Sequence, residues 1–280
     1  MTTTDDLKVA PERSERRPAD PDAAGASGAV PAAPGAAPAA APGTGSEGIG
    51  GTGTGISGTG SLRAAPRHDR KVHPIALYEE ALSGAPVLAV GGQEARLLDV
   101  STWSAPPSDV DEMIVARCEG PVLDVGCGPG RLTAALGRRG VPSLGIDVSG
   151  RAVLEARSRG ALALQRAVER PLPGEGRWGT ALLADGNVGI GGNPGALLRR
   201  CRELVAPGGM VVVEADPDAA VDLVEPVVLR TADGRESHPM PWARVGSTAI
   251  VRLAHEVGLE LHEEWHLGGR TIVALRRPLV

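Results

Sequence analysis

The stretch VLDVGCGPGRLTAAL, residues 122–136, places a short apolar run directly before a glycine-rich turn and a helix-like segment. Gly126, Gly128 and Gly130 stand at alternate positions after a predicted strand that contains Asp124. Glycine permits backbone angles and close approaches that a side chain would block. A helix that begins after such a turn directs its free N–H groups and the positive end of its dipole toward the turn. The stretch therefore predicts a strand, a turn and a helix, and the turn is either structural or binds a ligand.

Strand and helix patterns alternate along the chain on the carboxyl side of this turn, which predicts an α/β fold with a doubly wound, mostly parallel sheet. In such sheets, ligands bind at the carboxyl ends of the strands, where the glycine turn lies. Ser149 and Asn193 are predicted helix caps. The predicted strands are 121–125, 142–148, 161–168, 178–186, 209–217, 259–267 and 270–278, and the predicted helices are 130–139, 150–159, 193–205 and 247–258.

The segments that flank this regular part are predicted to hold additional elements. Residues 73–84 are predicted to form a short helix, and residues 86–100 a β-hairpin around Gly91 and Gly92. Ser108 is predicted to cap a further helix that follows it. Residues 217–246, after the fifth strand of the core, predict an irregular segment. That segment leaves the carboxyl end of a central strand, so it is expected to form a wall of the ligand site.

Composition divides the chain and excludes several classes of protein. Residues 1–66 are rich in Ala, Pro, Gly, Ser and Thr without a periodic apolar face, which predicts a disordered tail before a folded domain at 67–280. A net charge of −5, one Tyr and no Phe argue against a nucleic-acid partner. The three cysteines form no CxxC pair and no apolar run is long enough to span a membrane, so a cytoplasmic protein without membrane contact is expected. No acidic cluster resembles a metal site.

The glycine turn does not match the motifs of two other classes of nucleotide-binding protein. A phosphate-binding loop requires a Lys after its last glycine, whereas Arg131 follows Gly130, and a dinucleotide fold requires G-x-G-x-x-G rather than G-x-G-x-G. Three stretches together resemble motifs of the class I S-adenosylmethionine-dependent methyltransferases. LDVGCGPGRLTAAL resembles the first motif of that family, GIDVS at 145–149 resembles the second, and LVAPGGMVVVE at 204–214 resembles the turn and strand that follow the fourth helix. The resemblance covers residues 120–216 and, by topology, the last two strands. It implies a Rossmann-like, seven-stranded sheet with an antiparallel last strand.

The resemblance also implies the cofactor, S-adenosylmethionine, and positions that bind it. Asp147 would accept hydrogen bonds from both ribose hydroxyls, and Asp124 would either orient the loop or reach the methionine ammonium. The remaining expected cofactor positions are Gly126, Cys127, Gly128, Gly130, Val148, Ala167, Val168, Asp185 and Asn187. Cys127 is interpreted as a small filler of the loop rather than a nucleophile, and Asp185 and Asn187 contact either the cofactor or the substrate. Arg166 stands where many members carry an acid beside the adenine, so the adenine contact falls to the backbone of Ala167 and Val168.

The expected function is methyl transfer to a small-molecule acceptor at oxygen. A hydroxyl acceptor benefits from a base, for which His238, Tyr78 and His73 are the candidates. The domain is expected to divide into a helix and hairpin lid at 67–119, a cofactor-binding core at 120–216, the acceptor-site segment at 217–246 and the last helix and strands at 247–280. The alternative is a methyltransferase-like binding or scaffold protein without turnover.

Overall fold

The computed structural model describes residues 71–92 and 94–279, so the predicted tail at 1–66 lies outside the described residues. The helices are α1 (Pro74–Leu82), α2 (Val100–Ser104), α3 (Asp109–Arg117), α4 (Arg131–Arg138), α5 (Gly150–Ser158), α6 (Pro194–Leu204) and α7 (Ser247–Glu256). The strands are β1 (Val87–Gly91), β2 (Glu94–Leu97), β3 (Val122–Val125), β4 (Ser143–Asp147), β5 (Ala163–Gln165), β6 (Trp178–Leu183), β7 (Val205–Ala215), β8 (Asp222–Thr231), β9 (Met240–Val245), β10 (Glu260–Leu267) and β11 (Arg270–Arg276).

The larger sheet has seven strands in the order β10-β11-β7-β6-β3-β4-β5. Strands β3 to β7 pair in parallel, whereas β11 runs antiparallel to both β7 and β10. This topology confirms the predicted α/β fold and the reversed last strand. The chain moves from β3 through β4 to β5 on one side and resumes at β6 on the other, so the point of reversal lies at the carboxyl end of β3.

Helix caps that the sequence predicts are present in the structure. The Ser108 hydroxyl accepts from the backbone N–H of Asp111, whose carboxylate accepts from the Ser108 N–H in return, which completes a capping box. Ser149 caps α5 and Asn193 caps α6 by accepting from the N–H three residues ahead, at 3.0 Å in each case. The short polar side chains therefore set where these helices begin.

The prediction of an irregular segment at 217–246 is wrong, because this segment contains β8 and β9. These strands join β1 and β2 in a four-stranded antiparallel sheet with the order β2-β1-β8-β9. Pro226 in β8 cannot donate to a ladder, which argues against a strand when the sequence is read alone. It is tolerated here opposite Pro241. The predicted hairpin at 86–100 is confirmed, but it forms half of this second sheet rather than an isolated ribbon.

Each sheet has an apolar cluster of its own, and Ala243 and Val245 of β9 in the smaller sheet belong to the core of the larger one. Leu123, Leu183 and Val213 are fully buried in the larger sheet, where α6 and α7 pack against them. Helix α1 covers the smaller sheet and buries Leu77 against Leu229. Within the described residues, no helix is both long and apolar enough to cross a membrane.

Candidate active site

The glycine turn after β3 is held against the neighbouring strand by its own backbone. The N–H groups of Gly126 and Cys127 both donate to the Ile146 carbonyl, at 2.8 and 3.0 Å. Gly126 and Gly128 have φ angles of +73° and +52°, in the left-handed region that favours glycine. A Cβ on Gly126 would lie 2.7 Å from the Asn187 amide nitrogen, whereas a Cβ on Gly128 would meet only the Tyr78 hydroxyl, at 3.5 Å. The turn can therefore be reached by a ligand at Gly128 but has no room for a side chain at Gly126.

Asp147 links this turn to the end of β4. Its Oδ2 accepts from the Gly128 N–H at 3.0 Å, and its Oδ1 accepts from the Ser149 N–H at 2.8 Å. The residue is only 8% exposed, and this burial raises the pKa of its carboxyl, although the backbone donors partly oppose the shift. A carboxylate oxygen can accept two hydrogen bonds, so each Asp147 oxygen can also accept one from a ligand.

Two positions of the turn pack against protein. A Cβ on Gly130 would lie 2.6 Å from the Cβ of Ala156 in α5, and Gly130 does not border the cavity described below. The expectation that Gly130 approaches a cofactor therefore does not agree with its position. The Cys127 sulfur lies 2.6 Å from where a Cβ on Gly145 would stand, so this thiol fills the space beside a glycine of β4. Burial raises the pKa of the Cys127 thiol well above its usual value, which disfavours a thiolate nucleophile.

Asp124 lies beneath the turn, 2% exposed, and its Oδ2 accepts from the Thr133 hydroxyl at 2.6 Å. Burial raises the pKa of this carboxyl to about 6, against the opposing effect of the Thr133 hydrogen bond. Asp124 thus borders the cavity with a carboxyl whose pKa lies above that of an exposed aspartate.

Asn187 and Asp185 follow β6 and lie against the turn from the other side. The Asn187 Nδ2 donates to the carbonyls of Val125 and Gly126, each at 2.9 Å, so its amide group supports the turn. Asp185 has a φ of +51° and accepts two hydrogen bonds from Arg131 Nη2, at 2.6 and 2.9 Å. Both residues border the cavity.

A cavity of about 610 Å³ lies between the two sheets. On the side of the larger sheet, it is bordered by most of the predicted cofactor positions, namely Asp124, Gly126, Cys127, Gly128, Asp147, Val148, Ala167, Val168, Asp185 and Asn187. On the other side, one face of the smaller sheet borders it, through alternate residues of β8 (Glu225, Val227, Leu229) and β9 (Met240, Trp242, Arg244). Such a volume is typical of small-molecule sites.

Residues 101–264 match the model of a protein family described as a methyltransferase domain. The chain belongs to the class I S-adenosylmethionine-dependent methyltransferases. The match covers more than half of the chain and includes the glycine turn, Asp147 and the helices between the strands. It confirms the family resemblance of the three sequence motifs, and with it the methyltransferase activity and the cofactor, S-adenosylmethionine.

Several solved structures are similar to this methyltransferase at low sequence identity. A methyltransferase from Bacteroides fragilis, crystallised with S-adenosyl-L-homocysteine, is 18% identical and has a TM-score of 0.60, with 74% of this chain and 93% of that chain covered. The CcbJ methyltransferase from Streptomyces caelestis is 18% identical, with a TM-score of 0.48 and coverage of 63% and 92%. A methyltransferase from Methanosarcina mazei is 12% identical, with a TM-score of 0.49 and coverage of 63% and 100%. No curated protein matches the sequence.

The cavity fits the cofactor by shape and by charge. Gly128 presents backbone without a side chain, and each Asp147 oxygen spends one hydrogen bond on backbone and keeps capacity for a hydroxyl of a ribose. Seven carboxylates and four guanidinium groups border the cavity, an excess of negative charge that favours a cationic ligand such as a sulfonium. The residues that border the cavity are therefore suited to binding this cofactor.

The three candidate bases have different positions. His238 is exposed and does not border the cavity; its backbone N–H donates to the Val72 carbonyl at 2.8 Å. His73 is also exposed and outside the cavity, where its Nδ1 accepts from the Ile75 N–H as the cap of α1. Neither histidine therefore borders the cavity in this structure. Tyr78 borders the cavity, but burial and then the charge of Asp147 raise the pKa of its phenol far above the usual value, so it remains a hydrogen-bond donor.

A buried ion cluster beside the cavity was not predicted from the sequence. Asp111 is completely buried and pairs with both Arg131 and Arg270, the latter at 2.7 Å. Arg270 also pairs with Glu214, whose Oε2 accepts from the Asp185 N–H at 2.6 Å. The residues of the cluster come from α3, α4, β7, β11 and the turn after β6, so their spacing along the chain does not predict that they meet. The cluster holds Arg131 and Asp185 in place at the cavity wall.

The smaller sheet is the second unpredicted part of the site. Its cavity face follows the two-residue period of a strand: positions 225, 227 and 229 of β8 and 240, 242 and 244 of β9. This alternation is visible in the sequence once the segment is assigned to strands. Trp103 of α2 also borders the cavity and packs edge to face with Tyr78, with ring centroids 6.2 Å apart.

Proposed function

We propose that the enzyme transfers the methyl group of S-adenosylmethionine to a hydroxyl oxygen of a small molecule. The observation that carries the proposal is one continuous cavity that the Gly128 and Asp147 pair borders on one side and the smaller sheet borders on the other. A cavity of about 610 Å³ accommodates a cofactor and a small acceptor, and it is too confined for a folded macromolecule.

The cofactor side of the cavity supports a definite distribution of roles. Asp147 would accept from the ribose hydroxyls, and the backbone at Gly126 and Gly128 would approach the cofactor closely. Val148, Ala167 and Val168 would contact the adenine. The Val168 carbonyl already accepts from Arg200 Nε at 2.9 Å, and the Ala167 carbonyl accepts from the Arg170 N–H at 3.1 Å, so both carbonyls already have a protein donor. Cys127 and Gly130 would serve the packing of the turn.

Asp185, Asn187 and Asp124 would form the end of the cavity for the methionine portion. Asn187 holds the turn through two carbonyls, and Asp185 contributes a carboxylate whose orientation is fixed by Arg131. When bound, the cofactor supplies a methyl group activated by a positively charged sulfur. The protein then contributes mainly by aligning the acceptor, which in well-oriented cases lowers the activation free energy by about 7–11 kcal/mol.

The acceptor side favours oxygen through its polar groups. Carboxylates rather than histidines border the cavity, and Asp216 is the one that would face the hydroxyl. A carboxylate accepts the hydrogen of a hydroxyl and can receive its proton as the oxygen becomes methylated. We also propose that the segment 67–119, the core at 120–216, the acceptor segment at 217–246 and the end at 247–280 act as one methyltransferase domain at 67–280.

The test combines cofactor binding with turnover. S-adenosylmethionine at about 1 mM is expected to raise the melting temperature, and Asp147→Asn is expected to weaken binding about 10- to 100-fold, because hydrogen bonds to a charged group contribute about 1.5–3 kcal/mol. Asp222→Asn is the control, since Asp222 is exposed and pairs only with Arg252. An unchanged melting temperature, or equal loss in both variants, would contradict the proposed cofactor role.

Turnover with a panel of phenols and matched amines is measured as formation of S-adenosylhomocysteine, and NMR of the product identifies the methylated atom. An O-methyl ether is the expected product. An N-methylated product would refute the oxygen assignment and leave the methyltransferase activity intact.

A further inference from the structure

We infer that the acceptor carries a protonated amine and that the Glu225 carboxylate binds it. This inference rests on the proposed small-molecule function and adds the chemical class of the acceptor. Glu225 lies on β8, on the face of the smaller sheet that borders the cavity, and its side chain is half-buried. It therefore belongs to the acceptor wall and not to the glycine turn.

The position of the Glu225 carboxylate depends on two glycines of the neighbouring hairpin. A Cβ on Gly91 would lie 2.7 Å from Glu225 Oε1 and 2.9 Å from its Cδ, and a Cβ on Gly92 would lie 2.8 Å from Oε2. Gly92 has a φ of +54°, which by itself favours glycine. Gly91 has no such backbone requirement, so the absence of its side chain is explained by the space that the carboxylate occupies.

Charge around Glu225 is unbalanced. Glu94 pairs with Arg96 and, at 3.7 Å, with Arg244, while Asp216 pairs with Arg244 at 2.9 Å. The charge of Arg244 also acts on Glu225, although the two side chains form no ion pair. Among the described residues, Glu225 has neither an ion pair nor a side-chain hydrogen bond. Three carboxylates thus share two guanidinium groups, and the carboxylate without a partner is the one that lies over the hairpin glycines. A half-buried charge without a partner is stabilised by a ligand that brings the opposite charge.

An indole ring lies beside this carboxylate. Glu225 and Trp242 are directly paired across β8 and β9, and both border the cavity, so their side chains share one face at a separation of about 5 Å between Cβ atoms. The electron-rich face of an indole attracts a cation, which a neutral hydroxyl would not exploit. The pair therefore favours an ammonium group over a neutral hydrogen-bond donor.

The experiment compares tyramine, which is a cationic phenol, with para-ethylphenol, which lacks the amine. Binding of each is titrated calorimetrically to the full chain saturated with S-adenosylhomocysteine. We expect tyramine to bind at least about tenfold more tightly, as for a charge-assisted contact, and Glu225→Gln to reduce the preference to less than about threefold. The affinity for para-ethylphenol should not change. Glu236→Gln, an exposed carboxylate that pairs with Arg230 outside the cavity, should retain the full preference.

Gly91→Ala provides a second variant, because it keeps the charge and displaces the carboxylate. It should lower the preference for tyramine even if Glu225→Gln fails to fold. Equal affinities in the unaltered enzyme, a preference that persists in both variants, or no binding of tyramine at about 10 mM would overturn the inference. Formation of S-adenosylhomocysteine from S-adenosylmethionine in parallel samples tests the proposed function separately, so the two failures can be distinguished.

Discussion

Gly128 and Gly130 lie two residues apart in the same turn, yet the structure predicts opposite consequences when each is replaced by alanine. Both have positive φ angles, +52° and +82°, so each alanine incurs a similar backbone cost of about 1–2 kcal/mol. Each replacement also restricts the unfolded chain by a similar amount, which cancels in the comparison. The difference between the variants therefore reports what each new methyl group contacts.

At Gly130, the methyl group would lie 2.6 Å from the Ala156 Cβ and 2.8 Å from its Cα, and the latter is backbone of α5 that cannot rotate away. Overpacking of this kind costs about 1–3 kcal/mol, so Gly130→Ala is expected to lower the free energy of unfolding by about 2–5 kcal/mol in total. At Gly128, only the Tyr78 hydroxyl lies within 4 Å, at 3.5 Å, so the loss should be about 1–2 kcal/mol. The methyl group on residue 128 instead enters the cavity and should weaken cofactor binding by more than about tenfold.

Urea unfolding followed by tryptophan fluorescence measures the stability of each variant, and calorimetric titration with S-adenosylhomocysteine measures its affinity. Folded Gly130→Ala should retain most of the affinity. Our reasoning is refuted if the two variants lose the same stability, or if Gly130→Ala loses more affinity than Gly128→Ala.

Three further predictions concern charge and loop support. Burial places the pKa of Asp124 at about 6, above that of an unfolded aspartate, so the free energy of unfolding should fall as the pH rises from about 4 to 6, where the unfolded chain ionises first. Over the same range, affinity for the cationic cofactor should rise by up to about tenfold per pH unit and level off above pH 6. Asp124→Asn should flatten this pH dependence of affinity in calorimetric titrations, and an unchanged dependence would contradict the role of Asp124. Asp111→Ala removes the fully buried carboxylate that Arg131 and Arg270 share and leaves each arginine with fewer partners, so it should cost about 3–5 kcal/mol in urea unfolding, against about 0–1 kcal/mol for Arg252→Ala at the surface. Equal losses would argue against the buried ion cluster. Asn187→Ala removes both hydrogen bonds to the turn and should weaken S-adenosylhomocysteine binding several-fold with a stability loss of about 1–3 kcal/mol; full affinity would show that the turn holds its shape alone.

The sequence by itself determined the cofactor half of the molecule. Strand period, helix caps at Ser108, Ser149 and Asn193, and the alternate glycines are local signals, since each depends on residues within one turn or one strand. The placement of Asp147 beside the glycine turn also follows, because parallel strands adjacent in sequence bring their carboxyl ends together. The 3.0 Å contact between Asp147 and Gly128 agrees with that expectation.

Only the tertiary structure decided the other half of the site. The smaller sheet pairs Gly91 with Val227, and the buried ion cluster pairs Asp111 with Arg270 across 159 positions. Such pairs gain their free energy from burial and charge neutralisation between distant segments, so no local propensity records them. For the same reason, His73 and His238 could be named as possible bases from the sequence, but that their side chains are exposed and do not border the cavity was a property of the folded chain alone.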